Sequence, residues 1–226
     1  MELYIDPAAT TSRAVLAFCK AARLEPSIHA ISLMKGEHRQ AAFAKLNPNC
    51  MVPVLVDGAL VLTESAAILY HLARKSGSSL CPTDAAERAR LDELTAWFGT
   101  NFYRDFGVQF VYPQVLPQHR RPSEEANRVT VEWGREQSKR WLAVLEAHWL
   151  GPNRSFLVGD RLTMVDYYGV SILSLGELVG CSLPEYPNVR RWYETIGADP
   201  SWIAVNPAFR GFVEAISARG ESFVSL

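Results

Sequence analysis

Glu64 and Ser65, together with the preceding Val52-Pro53 and Asp57-Gly58, are the residues of this chain whose types and spacing best support a chemical role. They lie within residues 47–73, NPNCMVPVLVDGALVLTESAAILYHLA. Asp57-Gly58 between two apolar runs signals a hairpin, because such tight turns need left-handed backbone positions. A proline opening a strand sits where no ladder N–H is required. In its cis form, the Val52-Pro53 bond turns the Val52 backbone groups outward toward a ligand. Thr63-Glu64-Ser65-Ala66 then starts a helix, whose unpaired N–H groups and dipole attract an anion. A backbone edge beside an anion-binding helix start suits a small, zwitterionic, peptide-like ligand.

Positioning these groups takes a sheet and its covering helices. Residues 3–6 read as a short apolar strand, and 12–24 (SRAVLAFCKAARL) have helical spacing with Ser12 as N-cap. Residues 27–33 alternate as a strand does, and 39–46 read as a helix ended by Asn47-Pro48. Strands over 53–57 and 60–63 lead into a helix over 65–76. Gly77 to Pro82 (GSSLCP) is linker-like, and beyond it no strand pattern recurs. Residues 84–111 and 124–149 are long amphipathic stretches separated by the loop PQVLPQHRRPS. Thr163 and Asp166 have capping-box spacing, with Leu162 placed to staple onto Tyr167. Pro187 and Pro207 each open a further helix. The expected organisation is an α/β domain over 1–76, a linker over 77–83 and an all-α domain over 84–226.

The stretch 47–73 resembles the glutathione-binding half of cytosolic glutathione transferases. The opening LYIDPAATTSRAVLAF (3–18) is similar to the first strand, loop and first helix of their theta- and delta-like classes. FLVGDRLTMVDYYGVSIL (156–173) resembles the family's capping-box segment. The resemblance implies a thioredoxin-like α/β N-terminal domain, an all-α C-terminal domain and glutathione as co-substrate. It also implies that Ser65 meets the γ-glutamyl carboxylate, Glu64 the ammonium, and the Val52 backbone, ahead of Pro53, the cysteinyl backbone of glutathione. His38, in LMKGEH, matches a histidine near the glycine end, where Cys50 and Met51 stand in place of the usual Lys or His. A plain capping carboxylate is the alternative for Glu64, and a surface histidine for His38. The implied assembly is a homodimer through the third helix and the long helix near Arg88–Asp92.

In this family the nucleophile is the ligand's own thiol, ordinarily protonated at neutral pH with a pKa near 8.5. Lowering that by about two units takes roughly 2.7 kcal/mol of preference for the anion. One hydroxyl donating to the charged sulfur supplies about 1.5–3 kcal/mol, and a helix N-terminus up to about 2 kcal/mol. Counting back from Arg13, the serine of theta- and delta-like relatives falls on Ala9, which has no hydroxyl. Thr10 is the nearest substitute, followed by Ser12 and Thr11; helix capping is the competing role for all three. No cysteine lies in this loop, which argues against mixed-disulfide chemistry, and Cys19 reads as core. Arg13 is expected to form a structural salt bridge.

Aromatic residues crowd between Trp97 and Tyr112. Some must be core, but their density fits an apolar pocket for an electrophile, with Trp97, Phe102, Tyr103 and Phe106 lining it and Trp202 at its lid. The reading is a transferase in which glutathione thiolate attacks an apolar, aromatic electrophile by conjugation, aryl-ether cleavage or dehalogenation. A non-catalytic glutathione-binding module is the alternative, and Ala9 is the residue that favours it. A glutathione-dependent reductase or peroxidase is a further variant.

The chain has 226 residues, 48% hydrophobic and 21% charged, with a formal net charge of −1. That balance gives no basis for nucleic-acid binding. No apolar run reaches membrane-spanning length, and the N-terminus lacks a signal-peptide pattern. The four cysteines have neither CxxC nor metal-site spacing, so no metal is expected and a reducing, cytoplasmic location is.

Overall fold

The computed structural model describes residues 1–226. Its first part is a four-stranded sheet in the order β2-β1-β3-β4. Strand β1 (Glu2–Ile5) occupies a central place because Leu3 and Ile5 are both buried. It pairs in parallel with β2 (Ser27–Ala30) and antiparallel with β3 (Val54–Asp57). Strand β4 (Leu60–Leu62) completes the hairpin with β3, Asp57 opposite Leu60. The turn residues are therefore Gly58 and Ala59, one position later than Asp57-Gly58. Gly58 supplies the left-handed backbone at φ 63°. Strand β2 is shorter than the expected 27–33 and its residues are all exposed, as befits an edge.

Helix α1 (Thr10–Ala21) buries Ala14, Val15, Ala17 and Phe18 between the sheet and the helical domain. The short α2 (Ala41–Leu46) follows, and α3 (Ser65–Ser76) closes at Gly77, whose φ of 61° supplies the left-handed C-terminal turn. Every strand precedes α3, and only helices come after it.

The second part begins with α4 (Ala85–Trp97), N-capped by the Asp84 carboxylate. This rod does not end at residue 97. It continues with π-type winding over Phe98–Val111 and a final α turn, α5 (Tyr112–Val115). Helix α6 (Glu124–Val144) lies against that stretch and also finishes in π winding, over Leu145–Leu150. Gly134 permits the approach, since a Cβ there would come within 2.7 Å of the Gln109–Phe110 backbone.

At the centre stands α7 (Met164–Leu173), buried at every residue and opened by the expected Thr163–Asp166 capping box. Asp166 also accepts from the Leu157 N–H and from the Trp192 indole. Burial pushes the Asp166 carboxyl up, and those donors oppose that shift. Helices α8 (Pro187–Gly197) and α10 (Pro207–Ser217) match the expected pair, and between them lies α9 (Pro200–Val205), too short to show a period. One apolar core runs from Leu3 to Ile216 without a break. No helix is long and apolar enough to cross a membrane.

Candidate active site

The loop joining β1 to α1 is shaped by Asp6. Its carboxylate accepts from the Ala8 and Leu33 N–H groups, and its carbonyl from the Ala9 N–H. The chain is thereby turned early, so α1 begins at Thr10 with Ala9 at the N-cap, two residues ahead of the expected start. Alanine offers no side-chain cap, which leaves the amides of the first turn free for an external acceptor.

The three candidate hydroxyls point in different directions. Thr10 is 4% exposed, and its Oγ1 lies 3.1 Å from the Tyr112 hydroxyl. Thr11 donates to the Val52 carbonyl at 3.2 Å, tying the helix start to the strand edge. Ser12 corrects the N-cap expectation: it lies inside α1, wholly buried, and its hydroxyl has no partner.

Across the loop, the Val52-Pro53 peptide is cis, with Val52 half-buried and Pro53 buried. Asn47 supports the approach by donating to the Met51 carbonyl at 2.7 Å. Glu64 holds φ at 65°, a left-handed value disfavoured for a non-glycine residue, and presents an exposed carboxylate. Ser65 follows as the first residue of α3 and is 5% exposed. His38 sits on a single 3-10 turn (Glu37–Arg39), half-buried, with Nδ1 enclosed and unpartnered.

Arg13 corrects the salt-bridge expectation. Its guanidinium is fully buried and donates to Asn206 Oδ1, Ser174 Oγ and the Ser171 carbonyl, none of them a carboxylate. The Phe209 ring lies 3.7 Å from Cζ and Trp202 5.3 Å away. Burial lowers its pKa to about 10, which still leaves it charged at neutral pH. The cation joins α1 to the helical domain.

The aromatic group divides in two. Phe102 and Phe106 are wholly buried and stack on each other at 4.9 Å, and Trp97 stacks on Phe102 at 5.9 Å. Phe102 and Phe106 belong to the buried core, and Trp97 packs against it, meeting Trp141 of α6 edge-on at 6.1 Å. Both phenylalanine rings are enclosed by this packing, and Phe106 also borders a small cavity beside Cys181 and Leu183. Trp202 is 5% exposed, held beneath Arg13. Tyr103 and Tyr112 differ: their hydroxyls lie 2.9 Å apart and extend to Thr10.

Comparison with known proteins decides the family. Residues 1–74 match the glutathione S-transferase N-terminal domain, and residues 103–200 match the glutathione S-transferase C-terminal domain. The chain belongs to the glutathione S-transferase family. It is 32% identical to mouse glutathione S-transferase theta-1 over 205 residues, covering 88% of this chain and 82% of that one. Rat glutathione S-transferase theta-2 is 33% identical over 204 residues, covering 88% and 81%. Human glutathione transferase theta-2, solved in complex with glutathione and an unknown ligand, superposes with a TM-score of 0.85 at 28% identity. That superposition covers 100% of this chain and 93% of the human one.

Two cavities of this glutathione S-transferase are lined by residues outside the Thr10 loop. One, of about 130 Å³, is bordered by Trp202, Asn206, Phe209 and Arg210, and one of about 40 Å³ by Phe106, Cys181 and Leu183. The transferase gathers no cluster of three or more His, Cys, Asp or Glu side chains. Cys19 is buried, and burial pushes its thiol up to about 12, so it behaves as core. The partnership of Tyr112 with Thr10 is absent from the sequence reading, which counted Tyr112 only as an aromatic. Its signal was the phenol itself, a polar tip in a run of phenylalanines.

Proposed function

We propose that this glutathione transferase ionises bound glutathione with the Thr10 hydroxyl and the free amides at the start of α1, in the absence of a serine at position 9. The observation that carries this reading is Ala9 at the N-cap: no side chain competes for the first-turn N–H groups, and Thr10 is the next hydroxyl. Glutathione lies along the Val52 edge, with its γ-glutamyl carboxylate at Ser65, its ammonium at Glu64 and its glycine end toward His38. The unpartnered Nδ1 of His38 supports that last placement.

On binding, the thiol proton leaves to solvent. The thiolate then attacks an electrophilic carbon, forming a carbon–sulfur bond as the bond to halide or aryl-oxide breaks, or as an epoxide opens. Holding both reactants together supplies the rest of the acceleration. An apolar electrophile, aromatic by preference, fits the half-buried rings of Tyr103 and Tyr112 above the loop. Aryl-ether cleavage, dehalogenation and detoxifying conjugation all share this chemistry.

The decisive experiment follows the ultraviolet absorbance of bound glutathione thiolate against pH in the wild type, Thr10→Val and Ser12→Ala. Ionisation well below the free thiol pKa, lost in Thr10→Val and kept in Ser12→Ala, is the expected result. Normal titration in every variant would make this chain a glutathione-binding module without catalysis, the reading that Ala9 also favours.

The same proposal includes division into a glutathione-binding domain (1–76), a linker (77–83) and a helical domain (84–226). It includes a cytoplasmic homodimer through α3 and the turn of α4 that exposes Arg88 and Asp92, checked by sedimentation of Arg88→Glu against the wild type.

A further inference from the structure

Tyr103 and Tyr112 are nine residues apart on one helical rod, yet their hydroxyls lie 2.9 Å from each other. In an α-helix of 3.6 residues per turn, that separation places two side chains on opposite faces. The i→i+5 winding of Phe98–Val111 has about 4.4 residues per turn, so nine residues make about two full turns and both phenols share one face. Gly107 completes the arrangement: a Cβ there would come within 2.6 Å of the Tyr103 ring, which lies across it. The result is a row of three hydroxyls, Tyr103, Tyr112 and Thr10, ending at the first turn of α1.

Three hydroxyls joined by two hydrogen bonds have one proton to spare, at one end or the other. A thiolate beside Thr10 favours the order in which Tyr103 donates to Tyr112, Tyr112 to Thr10, and Thr10 to sulfur. Each bond in such a chain polarises the next, strengthening it by about 10–30%. Burial raises the pKa of both phenols, so both stay protonated and able to donate. The fully buried Arg13 cation, hydrogen-bonded to no carboxylate, adds a favourable field for negative charge at this end of α1.

We propose that Tyr112, backed by Tyr103, is a positioning residue for the transferase reaction: it donates to Thr10 and thereby frees the Thr10 proton for the glutathione sulfur. This rests on Thr10 as the thiol's partner, and the test separates the two ideas. Bound glutathione is titrated in the wild type, Tyr112→Phe, Tyr103→Phe, Thr10→Val and the double variant Thr10→Val/Tyr112→Phe. The phenylalanine variants keep the rings and remove only hydroxyls.

The relay requires Tyr112→Phe to raise the bound thiol pKa by about 0.5–1 unit, a three- to ten-fold fall in the thiolate-to-thiol ratio at any given pH. Tyr103→Phe should act in the same direction but less strongly. The double variant should titrate as Thr10→Val does, because Tyr112 acts through Thr10. A shift in Thr10→Val with none in Tyr112→Phe overturns the relay and leaves Thr10 in place. Additive shifts in the double variant also overturn it, since they mean that Tyr112 reaches the sulfur directly. If Thr10→Val has no effect, the Thr10 assignment fails and the relay fails with it.

Discussion

The Thr11 hydroxyl donates to the carbonyl of Val52 at 3.2 Å, joining the start of α1 to the strand edge that precedes the cis proline. Forty-one residues of sequence separate the two, so this bond sets the width of the cleft between helix and edge. Thr11→Val keeps the shape of the side chain and removes the donor. Glutathione affinity should fall about three- to ten-fold, in line with the roughly 0.5–1.5 kcal/mol of one hydrogen bond. The bound thiol should titrate as in the wild type. Calorimetric binding that is unchanged in Thr11→Val would show that the edge positions itself.

Asp166 is a fully buried carboxylate of the helical domain that accepts four hydrogen bonds. It accepts from the N–H and hydroxyl of Thr163, from the Leu157 N–H and from the Trp192 indole, all in the buried centre. Asn in its place turns an N–H group toward one of those donors and loses the charge that strengthens the others. Asp166→Asn should cost roughly 2–3 kcal/mol, seen as a lower urea midpoint with an unchanged slope. A midpoint within error of the wild type would mean that the capping box contributes little.

Two glycines offer a matched pair. A Cβ at Gly134 would meet the backbone of Gln109 and Phe110 at 2.7 Å, and backbone yields only by moving the helix. Gly134→Ala should therefore destabilise by about 1–3 kcal/mol. At Gly197, the last residue of α8, nothing lies within 4 Å. Gly197→Ala should be neutral or stabilise by up to about 1 kcal/mol. Equal melting temperatures for the two variants would contradict the close approach of α6 to the long rod.

The carboxylate of Asp57 receives the Lys75 ammonium at 2.6 Å and the His71 ring at 2.8 Å, linking β3 to α3. Lys75 first, then His71, holds its pKa below the ordinary carboxylate value. A depressed folded-state pKa gives stability that is present above the unfolded value, near 4. That stability is lost as pH falls through the lower folded value. Asp57→Asn should thus melt earlier than the wild type at neutral pH, and the gap should close in acid. A gap that persists unchanged below pH ~3 would assign the effect to packing.

Much of the first domain was legible in local pattern. The Asp57-Gly58 hairpin, the helix start at Ser65 and the capping box at Thr163 are short-range features, each set by groups within a few residues. Sequence pattern alone therefore yielded the succession of strands and helices along the chain, the stretch suited to a peptide-like ligand and the all-helical remainder. It misplaced the start of α1, because the turn there depends on Asp6 meeting Leu33 from another strand's exit.

What only the tertiary structure decided lies at the chemistry itself. Sequence offers Thr10, then Ser12 and Thr11, as candidate hydroxyls, ranked only by their distance from Ala9. Packing sends one to Tyr112, one to Val52 and one into the core. It likewise makes the aromatic run one group, whereas the fold seals Phe102 and Phe106 inside and leaves Tyr103 and Tyr112 facing α1. The reason is the winding of the rod: a change from α to π rotates each side chain by an amount that accumulates over nine residues to about half a turn. No local residue pattern announces that change, because it is imposed by the helices packed against the rod.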